Sequence, residues 1–329
     1  MDEQQQQLKN SAVVFIKPHA NTEATRNLVK TKLLNAGLTI VSEREISGAE
    51  IDEKKLIDQH YYAIASKATI LSPKDIPVPA DQFVQEFGER WKDVLTADKA
   101  CNAKEACKRF QCTTGELNRA WGQAEKVVKF GGGFYCGLVT MPKNGQTLYV
   151  FNGFFMSMRA KFVRADVSVH CYEVEWNNTC KLAELSLTWA EFRGKVIGPT
   201  DPANAPSSSI RNSILEQWKI LGLKCMPDKG DNGVHASASP LEGLAEKSNW
   251  LEHEIAIDDF GAALLAAGVH RKTIEEWMLD PILQLGGDVN VEGSLFDVLE
   301  DMDAGECFQK LLELDELNAG VPVRSPLCI

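Results

Sequence analysis

An α+β fold follows from three features of the sequence. Apolar or alternating stretches of strand length are separated by segments with apolar residues at helical spacing. The two kinds interleave as strand, helix, strand near the start, and the interleaving resumes after a long stretch of different character at 65–165.

Val13, Val14, Phe15 and Ile16 form an unbroken apolar run within 11–17, the pattern of a strand covered on both faces. Thr22 can cap the next segment, where Leu28, Val29, Leu33 and Leu34 recur at helical spacing until Gly37 stops it. Alternation around Thr39, Ile40 and Val41 predicts a second strand over 38–46, and a helix is expected over 50–60 with Ile51, Leu56 and Ile57 facing the core.

Beyond residue 65 the pattern changes. A Pro-rich stretch at 72–79 leads into a charged, helix-like region around Trp91, Phe110 and Trp121, broken at Gly131–Gly133. Phe134–Thr140 and Gln146–Phe151 read as a hairpin turning at Asn144-Gly145. We expect 65–165 to be an insertion.

Val167, Val169 and Cys171 alternate along 167–176, which predicts the third strand of the main sheet, and a helix is expected over 185–196. A loop at 199–209, a helix over 210–221, a turn at 227–231 and a short segment at 232–237 follow. A last helix starts near Pro240, with Ser239 as its cap and proline in its first turn. This order fits a split-βαβ, ferredoxin-like plan, with one domain built from 11–64 and 166–254. Residues 255–329 read as an acidic, helical C-terminal extension, whose Phe260, Leu264, Trp277 and Phe308 suit helices packed on their own domain.

Composition narrows the function. A net charge of -11 argues against wholesale binding of nucleic acid or an anionic membrane, both of which need dense Lys and Arg. Any phosphate site must be a local basic pocket. No run of about 18 apolar residues occurs, so no membrane span is expected. Met1–Asn10 is polar and Gln-rich, unlike a signal or transit peptide, so a cytoplasmic location is the expectation. The nine cysteines are an odd count, and Cys101, Cys107 and Cys112 lack C-x-x-C spacing, so reduced thiols are expected. Cys328 stands second from the end, where prenylation requires a cysteine fourth from the end.

Four short motifs bear on chemistry. Phe15-Ile16-Lys17-Pro18-His19-Ala20 closes the first strand, and His60-Tyr61 follows the second expected helix. Gly198-Pro199-Thr200-Asp201-Pro202 is followed by Ser209-Ile210-Arg211, and Asn232-Gly233-Val234-His235-Ala236-Ser237-Ala238-Ser239 precedes the last helix of the domain. In order and largely in spacing, these resemble the nucleoside diphosphate kinase family, with its I-K-P-D-G strand end and its N-x-x-H-G-S-D-S signature. The resemblance covers 11–62 and 168–250. Ala236 and Ala238 replace the Gly and Asp of the signature, and the family's base-stacking aromatic falls near Thr69.

Physical chemistry fits the resemblance. Phosphoryl transfer between nucleotides needs a nucleophile that holds the group reversibly and cations that neutralise its oxygens. An imidazole with an ordinary pKa of about 6.5 keeps a lone pair near neutral pH. His235 is therefore the candidate nucleophile. Lys17 would act on the phosphate as a point charge and Arg211 as a fork.

The resemblance further implies a Thr200 hydroxyl on phosphate, Asn232 on the sugar or phosphate, and Tyr61 packed beside Lys17. It also implies that Ser237 and a nearby Glu orient the histidine ring, with Glu246 the nearest candidate. The family's second phosphate-binding Arg falls on Gly194, between Arg193 and Lys195, so a one-residue shift brings in Arg193. Mg2+ would arrive on the phosphates of the nucleotide rather than on protein ligands. The expected partners are nucleoside di- and triphosphates, with a homo-oligomer or a protein partner held through the insertion and tail.

Blander readings stand beside these. Lys17 before a proline could simply end a strand, and Arg211 could be an ordinary helix-start residue. His19, His60, His170, His253 and His270 have no metal-ligand spacing and read as structural, and Gly131–Gly133 lacks the G-K-S/T of a P-loop and reads as a turn. The competing function is a catalytically weak nucleotide-binding adaptor that uses the insertion and tail to hold partners. A phosphatase is the weaker third reading, because Thr200, Arg211 and Asn232 match a nucleotide site.

Overall fold

The computed structural model describes residues 8–177, 186–286 and 291–319. It is a mixed α+β structure whose described residues fall into two compact units, one of 8–53 with 165–319 and the other of 54–164.

The first unit is built on a four-stranded antiparallel sheet. Its strands are β1 (Asn10–Ile16), β2 (Thr39–Ser47), β3 (Ser168–Trp176) and β4 (Val234–Ala236), arranged in the order β2-β3-β1-β4. The central β1 pairs with β3 on one side and β4 on the other, which explains its continuous apolar run: both faces are covered. The edge strand β2 alternates between exposed and half-buried residues and carries a bulge between Ile40 and Ser42.

Helices α1 (Glu23–Asn35), α2 (Gly48–Glu53), α3 (Ile210–Gln217) and α4 (Pro240–Leu251) surround the sheet. Each of three starts on a side-chain cap: Thr22 accepts from the Thr25 amide, Ser209 from Asn212 and Ser239 from Glu242. One core holds Val14, Ile16, Val29, Trp189, Ile214 and Val234. On the other side α4 lies hard against β1, because a Cβ on Gly243 would sit 2.5 Å from the Ser11 carbonyl. Lys247 of α4 donates to the Ser11 hydroxyl at 2.9 Å and forms a buried ion pair with Asp258.

Two expected helices take different forms. The single helix over 50–60 is divided: α2 ends at Glu53, left-handed Lys55 (φ 58°) intervenes, and a new helix runs Leu56–His60 in the second unit. The helix over 185–196 begins at Trp189 on a capping box of Thr188 and Glu191 and widens into a π-turn over Phe192–Ile197. Residue 185 lies outside the described residues.

The C-terminal segment contributes α5 (Asp259–Ala266), α6 (Arg271–Trp277), α7 (Leu295–Leu299) and α8 (Ala304–Leu317). Their buried Phe260, Leu264, Trp277 and Leu311 pack with Leu241 and Leu244 of α4 in one cluster.

The second unit has its own four-stranded sheet, with Ala100–Asn102, Thr147–Phe151, Phe134–Thr140 and Lys126–Gly131 adjacent in that order. The hairpin at its centre pairs Thr140 with Thr147, and its turn has Gly145 at φ 66°. Helices Trp91–Thr96, Ala103–Arg109 and Thr114–Gly122 occupy the region read as helix-like. The strand at 126–131 was not foreseen: its alternating Lys126, Val127, Val128 and Lys129 are too short and too polar a signal to separate from the helix before it. Among the described residues no helix is long and apolar enough to cross a membrane.

Candidate active site

The candidate residues of the first unit converge at the end of its sheet. His235 is in the middle of β4, directly opposite Phe15 of β1, and their rings stack with centroids 4.7 Å apart. Two amide bonds extend this pairing beyond the strand ends: Lys17 donates to the Gly233 carbonyl at 2.9 Å, and Ser237 to that of Val13 at 3.1 Å. The register of β1 against β4 thus brings Lys17, His235 and Ser237 into one neighbourhood although more than half the chain separates them.

Glu246 reaches this neighbourhood from the inner face of α4. Its Oε1 lies 2.6 Å from His235 Nε2, and its Oε2 accepts from the Ser237 hydroxyl at 2.6 Å. Ser237 is fully buried and also receives the Val13 amide at 2.9 Å. The Ser237 carbonyl accepts the indole N–H of Trp189. The orienting glutamate left open by sequence spacing is therefore in contact with the ring.

Burial, and then the charges of Lys17, Arg211 and Arg193, hold His235 well below the usual imidazole range. The ring is neutral at pH 7, and its contact with Glu246 is a hydrogen bond between a neutral base and a carboxyl group. Burial pushes Glu246 up to about 8, against the opposing pull of the Ser237 and Glu242 hydrogen bonds. Glu242, one turn earlier on α4, is raised well above the carboxylate range by burial and then by the Glu246 charge. Sequence reading missed Glu242, although the Glu-x-x-x-Glu spacing on a helix was the signal that could have found it.

Arg211, in the first turn of α3, donates to the Gly198 carbonyl at 2.7 Å and to that of Val234 at 2.9 Å. One guanidinium thus ties the Gly198–Pro202 loop to the strand carrying His235. Gly198 has φ 92°, and a Cβ there would lie 2.8 Å from the Ser209 hydroxyl, so only glycine fits. Asn232 is buried, donates to the Thr200 carbonyl at 2.9 Å and has its own Oδ1 buried without a partner. The side chain of Thr200 is on an exposed part of the same loop. Lys17 Nζ is 3.4 Å from the Gly230 carbonyl.

Arg193 lies on the π-turn, where the Gly198 amide bonds back five residues to the Arg193 carbonyl at 2.9 Å. Its Nη1 donates to Glu300 and Asp301 of the C-terminal segment, at 2.7 Å each. The Asp301 amide in turn donates to the Ala238 carbonyl, just beyond His235. These acidic partners had no sequence signal, since a tail carboxylate can pair with any exposed cation. Tyr61 belongs to the second unit, where its ring meets that of His60 edge-on at 4.4 Å.

No protein-family model and no curated protein matches the chain. Among solved structures, the apo nucleoside diphosphate kinase of Encephalitozoon cuniculi is similar over 74% of this chain and 89% of its own, with 13% identity and a TM-score of 0.35. The Aquifex aeolicus nucleoside diphosphate kinase is similar over 74% of this chain and 94% of its own, with 13% identity and a TM-score of 0.31. An NDP kinase from Pyrobaculum aerophilum is similar over 74% and 96%, with 16% identity and a TM-score of 0.31. Likenesses this remote carry no functional weight; the side-chain geometry does.

Proposed function

We propose that the first unit is a nucleoside diphosphate kinase-like phosphotransferase that moves a γ-phosphoryl group through His235. The observation that carries this reading is the contact between His235 Nε2 and Glu246, braced by Ser237, with Lys17, Arg211 and Arg193 acting on the same ring. A neutral imidazole held at one nitrogen, in a field of cations, is suited to attack an anionic phosphate and to give the group back.

The reaction runs in two displacements. His235 Nδ1 attacks the γ-phosphorus of a nucleoside triphosphate, the N–P bond forms, and the bond to the β-phosphate oxygen breaks to release a nucleoside diphosphate. A second nucleoside diphosphate then attacks through its terminal phosphate oxygen, the N–P bond breaks, and the lone pair returns to Nδ1. Lys17, Arg211 and Arg193 offset the charge on the equatorial oxygens, and the Thr200 hydroxyl and Asn232 amide serve phosphate or sugar. Mg2+ would come bound to the nucleotide phosphates and offset charge that these side chains leave unneutralised.

In this reading the sheet order β2-β3-β1-β4 supports a split-βαβ, ferredoxin-like domain, with 65–165 as its insertion and 255–329 as its extension. Nucleoside di- and triphosphates are the partners, and the location is cytoplasmic. The test is labelling with γ-labelled ATP and Mg2+. Wild type should form an acid-labile protein phosphate that a nucleoside diphosphate discharges, and His235→Ala should form none. A wild type that never labels ends the proposal.

One observation favours a second reading, in which the chain binds nucleotide as an adaptor with weak catalysis. Arg193 is engaged by two carboxylates and not turned wholly toward His235. Nucleotide binding measured by calorimetry without detectable phosphoenzyme would select it.

A further inference from the structure

The second unit contains a feature outside the phosphotransfer reading. Helix Ala103–Arg109 ends in a Schellman motif: the Gln111 amide bonds to the Lys108 carbonyl at 3.1 Å and the Cys112 amide to the Cys107 carbonyl at 3.0 Å. Gln111 supplies the left-handed residue, at φ 49°. This motif places the side chains of its first and last residues side by side. Both of those residues are cysteines.

Cys107 and Cys112 influence one another's ionisation directly, and both residues are half-buried and so open to a small oxidant. The 3.0 Å amide bond keeps their backbones within the reach of a disulfide, roughly 4.4–6.8 Å between Cα atoms. Cys101 and Cys136 of the same unit are buried. We propose that Cys107 and Cys112 form a reversible intramolecular disulfide when the protein meets a small-molecule disulfide such as oxidised glutathione.

The two thiols have different parts. Burial raises both, Cys107 to about 11, but Cys112 alone is drawn back down by its partner thiol, by the Leu117 amide and by the charge of Lys143; Glu116 acts in the opposite sense. Cys112 is therefore the attacking thiolate and Cys107 the resolving thiol. Cys112 sulfur attacks one sulfur of oxidised glutathione, its S–S bond breaks, and one glutathione thiolate leaves. Cys107 then attacks Cys112 sulfur, the mixed disulfide breaks, and the second glutathione leaves. The two cysteine protons end on the two glutathiones, so one disulfide is reduced as another forms. The ring closed is short, so it adds little chain-entropy stabilisation and is readily reopened by thiols.

The full chain would be incubated with oxidised glutathione at pH 8.5, digested with trypsin without reductant, and mapped by mass. Lys108 and Arg109 lie between the two cysteines, so trypsin separates their peptides unless a disulfide joins them. Joined peptides that dithiothreitol separates are expected, with Cys107→Ser trapping glutathione on Cys112 and Cys112→Ser blocking the reaction. The exposed Cys225 reports that the oxidant is active. Glutathione on Cys225 with both Cys107 and Cys112 unmodified would overturn the proposal, as would a bridge from Cys107 to Cys101.

Discussion

Glu242 and Glu246, one helical turn apart on α4, bring two carboxyl groups into hydrogen-bonding contact behind His235. Two carboxylates so close cannot both ionise easily, so the pair retains a proton. Glu242 holds it, being raised well above the ordinary range, while its Oε1 also accepts the Ala238 amide at 3.1 Å. Donation from Glu242 favours ionisation of Glu246, and once Glu246 ionises, above about pH 8, it accepts from His235 and so fixes the proton on Nε2 and the lone pair on Nδ1.

Replacing Glu242 should therefore act through the ring and not through nucleotide affinity. Glu242→Gln keeps a donor and should form phosphoenzyme within about threefold of wild type, whereas Glu242→Ala should lose about 10–100-fold. Single-turnover labelling measures both. Equal rates in wild type and Glu242→Ala would remove Glu242 from the machinery.

The pH dependence has a definite sign. Below about 8 Glu246 carries a proton, donates it to Nε2 and leaves Nδ1 protonated; above that it accepts. Phosphoenzyme formation should climb about tenfold per pH unit below the transition and level off above it. Loss of the Glu242 donor should move the transition upward. A rate that falls between pH 6.5 and 8 contradicts the assignment.

Stability should show the same group. Glu246 rises from an ordinary 4.5 to about 8 on folding, so the folded state holds the extra proton between those values and loses stability as pH climbs through that window. At about 1.4 kcal/mol per pKa unit the cost amounts to several kcal/mol. Glu246→Gln should flatten that decline in urea titrations at pH 5 and 8.5, while abolishing most labelling.

Arg193 offers a test of the tail. Its ion pairs with Glu300 and Asp301 are half-exposed and individually worth at most about 1 kcal/mol. Removing both acids, by Glu300→Gln with Asp301→Asn, should free the guanidinium for phosphate and lower KM for ATP about threefold with little change in kcat. A raised KM would mean that the acids position Arg193 and do not compete for it.

The Lys247–Asp258 pair is a different case, because both side chains are under 5% exposed. Asp258→Ala strands a buried ammonium and removes the cap that receives the Phe260 and Gly261 amides. A loss of about 3–5 kcal/mol in urea unfolding is expected.

Much of the site was legible because its residues sit at enforced positions. Lys17 ends a strand whose apolar run is unmistakable, and His235 lies between Gly233 and a capped helix start, so periodicity and punctuation framed both. Thr200 and Arg211 flank a loop whose glycine and serine cap are local signals. Contacts between distant segments left no such trace. Nothing in Glu300 or Asp301 announces Arg193, and the π-turn that carries Arg193 looks in sequence like an ordinary helix with an extra residue. The strand at 126–131 is stabilised by its neighbours in the sheet, not by its own composition.

The shared cluster of α4 with α5–α8 has a practical result for anyone trimming the chain. Leu241 and Leu244 pack against the hydrophobic side chains of the last quarter of the sequence. Cutting at residue 255 would strip a greasy surface bare on the very helix that presents Glu242 and Glu246. A shortened protein that has lost turnover would then report a collapsed scaffold, and point substitutions on intact chains are the sounder route to what the tail does.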